Sequence, residues 1–127
     1  YGTDELPAFY TRKSGFGVDY RLDTPAEIAG AIRVKEACGL KGGLLITNPI
    51  PEEYAMPEDK MNKCIDDAVR MASELGIHGK QVTPFLLDKI KTLTEGKSLE
   101  ANIKLVLNNA KLGAEVAKEL CKESAND

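Results

Sequence analysis

Gly42-Gly43-Leu44-Leu45-Ile46-Thr47-Asn48-Pro49-Ile50-Pro51 is the stretch on which the fold class turns. Residues 42–46 are apolar without a break, short, and bounded by turn formers. That is the pattern of a strand buried on both faces of a sheet. Pro49 and Pro51 forbid a continued ladder, so the strand is expected to stop at Thr47. Open α/β sheets place ligands in the loops that follow such strands. Thr47 and Asn48 stand in that position, with simple turn chemistry as the competing reading of both.

Working outward, residues 6–11 (Leu-Pro-Ala-Phe-Tyr-Thr) read as a second, short strand, and the segment around Gly15 and Gly17 as a loop. Thr24-Pro25-Ala26-Glu27 is a helix start: threonine at the N-cap, proline at the first helical position, and glutamate placed to reach back to the cap. Gly39 is expected to end that helix in a left-handed conformation. Downstream, residues 57–75 carry Met61, Ile65, Ala68, Ala72 and Leu75 on one stripe, closed by Gly76. Thr83-Pro84 marks another proline-primed start, leading into Phe85, Leu86, Leu87, Ile90 and Leu93 before Gly96. The last helix is expected from Ser98 to about Lys122. Leu99, Ile103, Val106, Ala110, Gly113, Ala117 and Leu120 form its main apolar stripe, with Leu105, Leu112 and Val116 beside it. So wide an apolar surface implies a central helix, or one that meets a partner subunit or a missing domain. Residues 119–127 read as a fraying polar tail, most clearly 123–127. The fold class is therefore α/β, a sheet with flanking helices, in which helices dominate the second half.

The chain has 127 residues, the size of one domain, with 43% hydrophobic and 29% charged residues. A net charge of −3, with both signs interleaved, offers no basic face for nucleic acid. The apolar runs are too short to span a bilayer, and no signal-peptide pattern opens the chain, so a cytoplasmic location is expected. Three separated cysteines, Cys38, Cys64 and Cys121, fit free thiols in a reducing compartment. One histidine is too few for a Cys/His zinc site. The chain opens Tyr1-Gly2-Thr3, without methionine, and reads as part of something longer.

Few residues suggest chemistry. Asn102 and Asn109 lie seven apart, on one line of the last helix and between its apolar stripes. A carboxamide there needs polar partners, either a ligand or neighbouring backbone. His78 follows a helix end and has no nucleophile in a recognisable motif with it; a surface or turn role competes with a general base. Lys80 could meet a phosphate but follows an ordinary glycine turn. Arg12 and Arg21 flank the glycine loop and could hold an anion, although their spacing matches no phosphate motif. Glu52, Glu53, Glu58 and Asp59 suit a helix start.

Four stretches together resemble one family: Asp4-Glu5-Leu6-Pro7-Ala8-Phe9; Gly42-Gly43-Leu44 running into Asn48-Pro49-Ile50-Pro51-Glu52 and Ala55-Met56-Pro57; Gly79-Lys80 with Thr83-Pro84-Phe85-Leu86-Leu87; and Ser98-Leu99-Glu100-Ala101-Asn102-Ile103 with Asn108-Asn109-Ala110. In order and spacing they are similar to the C-terminal part of the pseudouridine-5′-phosphate glycosidases, the indigoidine synthase A family. The resemblance covers nearly the whole chain. It departs from the pattern at Gln81, where glutamate is expected, and His78 is outside the motif.

The resemblance implies an enzyme that reversibly splits pseudouridine 5′-phosphate into uracil and ribose 5-phosphate. Its implied mechanism is a lysine Schiff base that opens the sugar and acts as electron sink for carbon–carbon cleavage. It implies a manganese ion and a trimeric assembly. The lysine, the proton-transferring acid and the metal aspartate are all expected in an N-terminal portion preceding Tyr1. This chain would hold no catalytic residue and no metal ligand, and would be inactive alone. Asn102, the asparagine of the S-L-x-x-N motif, is the one substrate-binding position that carries over. The alternative reading is a non-catalytic oligomerisation module built on the broad apolar helix.

Overall fold

The computed structural model describes residues 1–122; the polar tail expected at 123–127 lies outside the described residues. Four α-helices organise the chain: α1 (Pro25–Ala37), α2 (Glu58–Glu74), α3 (Val82–Leu93) and α4 (Lys97–Lys122). Single 3-10 turns precede α2, at Glu52–Tyr54, and α3, at Gly79–Gln81. α4 runs through residues 119–122, which corrects the fraying expected for that part of the tail.

Local chemistry accounts for most helix boundaries. At α1 the Thr24 hydroxyl accepts from the Glu27 amide, and the Glu27 carboxylate accepts from the Thr24 amide, a reciprocal cap. Gly39 closes α1 and Gly76 closes α2, both at φ 65°, the left-handed region that glycine enters without a Cβ clash. The start of α3 corrects the expectation at Thr83-Pro84. The helix begins at Val82, so Pro84 sits inside its first turn and Thr83 is not the cap. Proline is tolerated there because the first-turn amides have no intrahelical acceptor in any case. Between α3 and α4, the Thr94 hydroxyl donates to the Ile90 carbonyl and accepts from the Ser98 amide, serving both helix ends.

The expected strands do not form. Among the described residues the only β pairing is one antiparallel bridge between Glu5 and Gly17, extended by Leu6 N to Phe16 O (2.7 Å) and Val18 N to Asp4 O (3.1 Å). Residues 42–46 are unpaired: no backbone hydrogen bond involves them among the described residues, Gly42 bends at φ 104°, and Leu45 is 88% exposed. A strand exists only through its ladder, and these residues have no neighbouring strand to complete one. In residues 6–11, Tyr10 and Thr11 are buried as core and anchor, while Phe9 stays half exposed against the Tyr10 ring.

Two hydrophobic cores are strung along α4. The first gathers Tyr10, Ile50, Met61, Ala68, Ile90 and Ala101, joining α2 and α3 to the N-terminal half of α4. The second, smaller core holds Ile28 of α1 against Leu112 and Val116 in the C-terminal half. Arg33 of α1 donates to the Glu119 and Leu120 carbonyls, fixing α1 alongside the end of α4. The α2 stripe packs as expected through Ala72, but Leu75 caps the helix and is exposed. On α4 most of the expected order is reversed. The set expected as secondary, Leu105, Leu112 and Val116, closes the cores; of the expected main stripe Leu120 packs beside the second core, while Leu99, Ile103 and Val106 are left bare, as is Leu107.

Candidate functional site

At 3.6 residues per turn, Asn102 and Asn109 fall on the border between the buried and the bare faces of α4. Asn102 is half-buried, and its carboxamide has no hydrogen-bond partner among the described residues. One turn before it Ser98 is fully enclosed; its hydroxyl finds no hydrogen bond of good geometry, and the buried Tyr10 hydroxyl is the polar group facing it. Burial pushes the Tyr10 phenol pKa up, and the Ser98 hydroxyl partly offsets this.

Two turns beyond Asn102, α4 clasps the loop that the proline-flanked motif forms. Asn48 Nδ2 donates to Asn109 Oδ1 at 3.1 Å, and Asn108 Nδ2 donates to the Pro49 carbonyl at 3.2 Å. Arg12 Nη1 donates to the Ile50 carbonyl at 2.6 Å, and the Ile50 side chain is fully buried beneath. Three consecutive loop residues are thus held from outside the loop, one by its side chain and two by their carbonyls. Lys104, on another side of α4, lies over the Tyr54 ring at 4.8 Å. The asparagines therefore form an uncharged row: Asn102 at one end, Asn48 and Asn109 together at the other.

The remaining candidates disperse. Arg21 pairs with Asp4 and Asp23 at the surface, and Arg12 is spent on the loop, so neither is brought to the amide row. His78 is exposed at the rim of a small cleft of about 200 Å³ lined by Val69, Ala72, Ile77 and Leu86. Lys80 is exposed in the 3-10 turn that follows. Glu58 and Asp59 occupy the first turn of α2, as dipole chemistry favours, and Glu52 and Glu53 the preceding 3-10 turn. Cys38 and Cys121 are exposed and Cys64 half-buried, all free. Among the described residues no three His, Cys, Asp or Glu side chains come together to hold a metal ion. No described helix is long and apolar enough to cross a membrane. A larger open groove of about 630 Å³ runs between residues 43–47 and the N-terminal segment, with Tyr1, Leu6, Val18, Tyr20 and Leu22 in its walls.

Asn48 and Asn108 enter the site through contacts 61 and 59 residues apart in sequence. Spacing along the chain carries no trace of such contacts; the position of Asn48 in the loop after residues 42–46 was the one local signal that pointed to it.

Comparison with known proteins bears on this arrangement. The family profile described as indigoidine synthase A like protein matches residues 1–119. A pseudouridine-5′-phosphate glycosidase of Clostridium botulinum is 60% identical over 122 residues, covering 96% of this chain and 40% of that protein. One from Alkaliphilus metalliredigens is 58% identical, covering 94% of this chain and 39% of that protein. The chain thus spans about 40% of the length of the curated relatives it matches. Among solved structures, the prealnumycin C-glycosynthase AlnA in complex with ribulose 5-phosphate superposes with a TM-score of 0.86 at 28% identity, over 100% of this chain and 42% of that one. An indigoidine synthase A-like protein of Thermotoga maritima gives 0.79 at 37% identity, over 92% of this chain and 38% of that one.

Proposed function

This chain belongs to the indigoidine synthase A-like protein family, and from that premise we propose that it serves the reversible cleavage of pseudouridine 5′-phosphate to uracil and ribose 5-phosphate. The observation that carries the reading is 60% identity over 96% of the chain to a protein named for that activity. A second support is the structural likeness to a C-glycosynthase complexed with a pentulose phosphate, since pseudouridine likewise carries its sugar on carbon.

In this reading the chain supplies one wall of the pocket. The lysine that forms the Schiff base and the acid that moves protons lie outside these residues. Asn102 contacts substrate from the seam beside the bare face of α4. Its unpartnered carboxamide, half withdrawn from water, supports that role, because such a group is costly unless a ligand or partner meets it. Residues 42–46 become a strand of an α/β sheet once a neighbouring strand is supplied, which their unpaired backbone and exposed apolar side chains support. The manganese ion belongs to the same reading, but the described residues offer no donor cluster that fits it, so no step here passes through a metal. The assembly is a trimer in the cytoplasm, and residues 1–127 form part of a single larger domain.

The test is uracil release from pseudouridine 5′-phosphate by the full-length protein. Turnover is expected there and none from the 127-residue chain alone. Absence of turnover by the full-length protein, with self-association intact, would instead favour the oligomerisation module. Asn102→Ala in the full-length protein is expected to lower kcat/KM by about 1–3 kcal/mol, the cost of stranding a buried polar partner. Unchanged kinetics would remove Asn102 from the pocket.

A further inference from the structure

Ser98 Oγ is the one buried side-chain polar atom without a hydrogen bond among the described residues, and the residue is 1% exposed. Burying a hydroxyl without a partner costs stability, so such a group calls for a physical explanation. The usual outlet for a helical serine is a carbonyl one turn back. That outlet is not used here: α4 begins at Lys97, so no helical turn precedes Ser98. The Thr94 hydroxyl is already engaged, accepting from the Ser98 amide and donating to the Ile90 carbonyl. On the core side the buried Tyr10 hydroxyl faces Ser98 without a hydrogen bond of good geometry.

Four residues on, and so on the same line of the helix, stands Asn102. Cβ atoms at this spacing are about 5–6 Å apart, and rotation of the asparagine side chain brings its carboxamide to the serine hydroxyl. No hydrogen bond among the described residues holds Asn102 elsewhere. A carboxamide has two unlike ends, and a fixed neighbour decides which of them meets a ligand. Resting on the reading of Asn102 as a substrate contact, we infer that Ser98 is its positioning residue: in the substrate complex the Ser98 hydroxyl donates to Asn102 Oδ1. The amide nitrogen is then turned outward with both its hydrogens, towards an acceptor oxygen of the ligand. Ser98 itself stays enclosed and does not touch the substrate. Stability given up in the unliganded chain is thus recovered on binding, as for other unsatisfied or strained groups at functional sites.

Ser98→Ala in the full-length protein tests this, alone and combined with Asn102→Ala. The single variant is expected to raise the KM for pseudouridine 5′-phosphate about tenfold with kcat within about twofold, the signature of lost uniform binding. Its thermal midpoint is expected to hold or rise, because a buried hydroxyl without a partner has been removed. In the Asn102→Ala background the same substitution is expected to change KM by less than about twofold, since Ser98 acts only through that amide. A midpoint lowered by more than about 4 °C would give the hydroxyl a structural partner and overturn the assignment. So would an unchanged KM in the single variant, or full additivity with Asn102→Ala. Each of these outcomes leaves the glycosidase reading intact. Kinetics unchanged by Asn102→Ala alone would remove Asn102 from the pocket, and this role of Ser98 with it. No turnover by the unsubstituted protein would overturn the glycosidase reading and the assignment together.

Discussion

The two long faces of α4 are built from nearly the same side chains and meet opposite fates. One face places Ala101, Leu112 and Val116 in the two cores, each less than a tenth exposed. The other carries Leu99, Ile103, Val106 and Leu107, which are 44–59% exposed. Leucine and valine appear on both, so composition does not separate them; their neighbours do. The hydrophobic effect has no direction and scales with area removed from water. A stripe therefore announces that it is to be covered without saying by which surface. The bare face adjoins the seam where Asn102 and Asn109 stand.

Substitutions on the two faces can sharpen or break this contrast. Leu112→Ala is expected to destabilise the chain by about 2–5 kcal/mol in urea unfolding, from lost transfer energy and the cavity left behind. A loss below about 1 kcal/mol would mean that α1 does not hold the end of α4. Next comes the device that starts α1, the helix against which that end packs. Thr24→Ala removes the acceptor for the Glu27 amide and is expected to cost about 1 kcal/mol by the same measurement.

The same cap makes a pH prediction. Hydrogen bonds from the Asp23 and Thr24 amides hold the Glu27 carboxyl below the ordinary glutamate pKa. The folded state then favours the ionised form. That contribution is present above the ordinary glutamate pKa and is lost as pH falls through the lowered value. Glu27→Gln is expected to flatten this part of the acid limb in a urea-midpoint series against pH. An unchanged limb would detach Glu27 from the cap.

The smallest effect belongs to the bare face. Leu107→Ala is expected to change the stability of the 127-residue chain by no more than about 0.5 kcal/mol. In the full-length protein a cost several times larger would place the covering surface over Leu107. Equal small costs in both settings would leave that part of the stripe exposed in the natural protein too.

Legibility followed the range of the interaction. The start of α1 was readable because Thr24, Pro25 and Glu27 act on one another within a single turn. The closing glycines of α1 and α2 were readable for the same reason, since a left-handed residue is a local requirement. Pro84 misled by two residues because the first helical turn accepts proline at more than one position. Residues 42–46 were read as a strand from a pattern that is sound, but pairing needs a second strand and none is present among the described residues. In the site, the motif located Asn102, whereas the Asn48–Asn109 bond depends on two segments meeting across 61 positions.

Sequence alone determined the helices, the cap of α1, the closing glycines of α1 and α2, the apolar stripes and the absence of a net basic charge, because each arises from residues within a turn or two or from simple counts. The tertiary structure decided which stripe of α4 became core, how the proline-rich loop was pinned, and which amides kept unused hydrogen-bonding groups. Those outcomes depend on contacts between distant segments, whose formation is governed by how whole surfaces fit rather than by any local pattern.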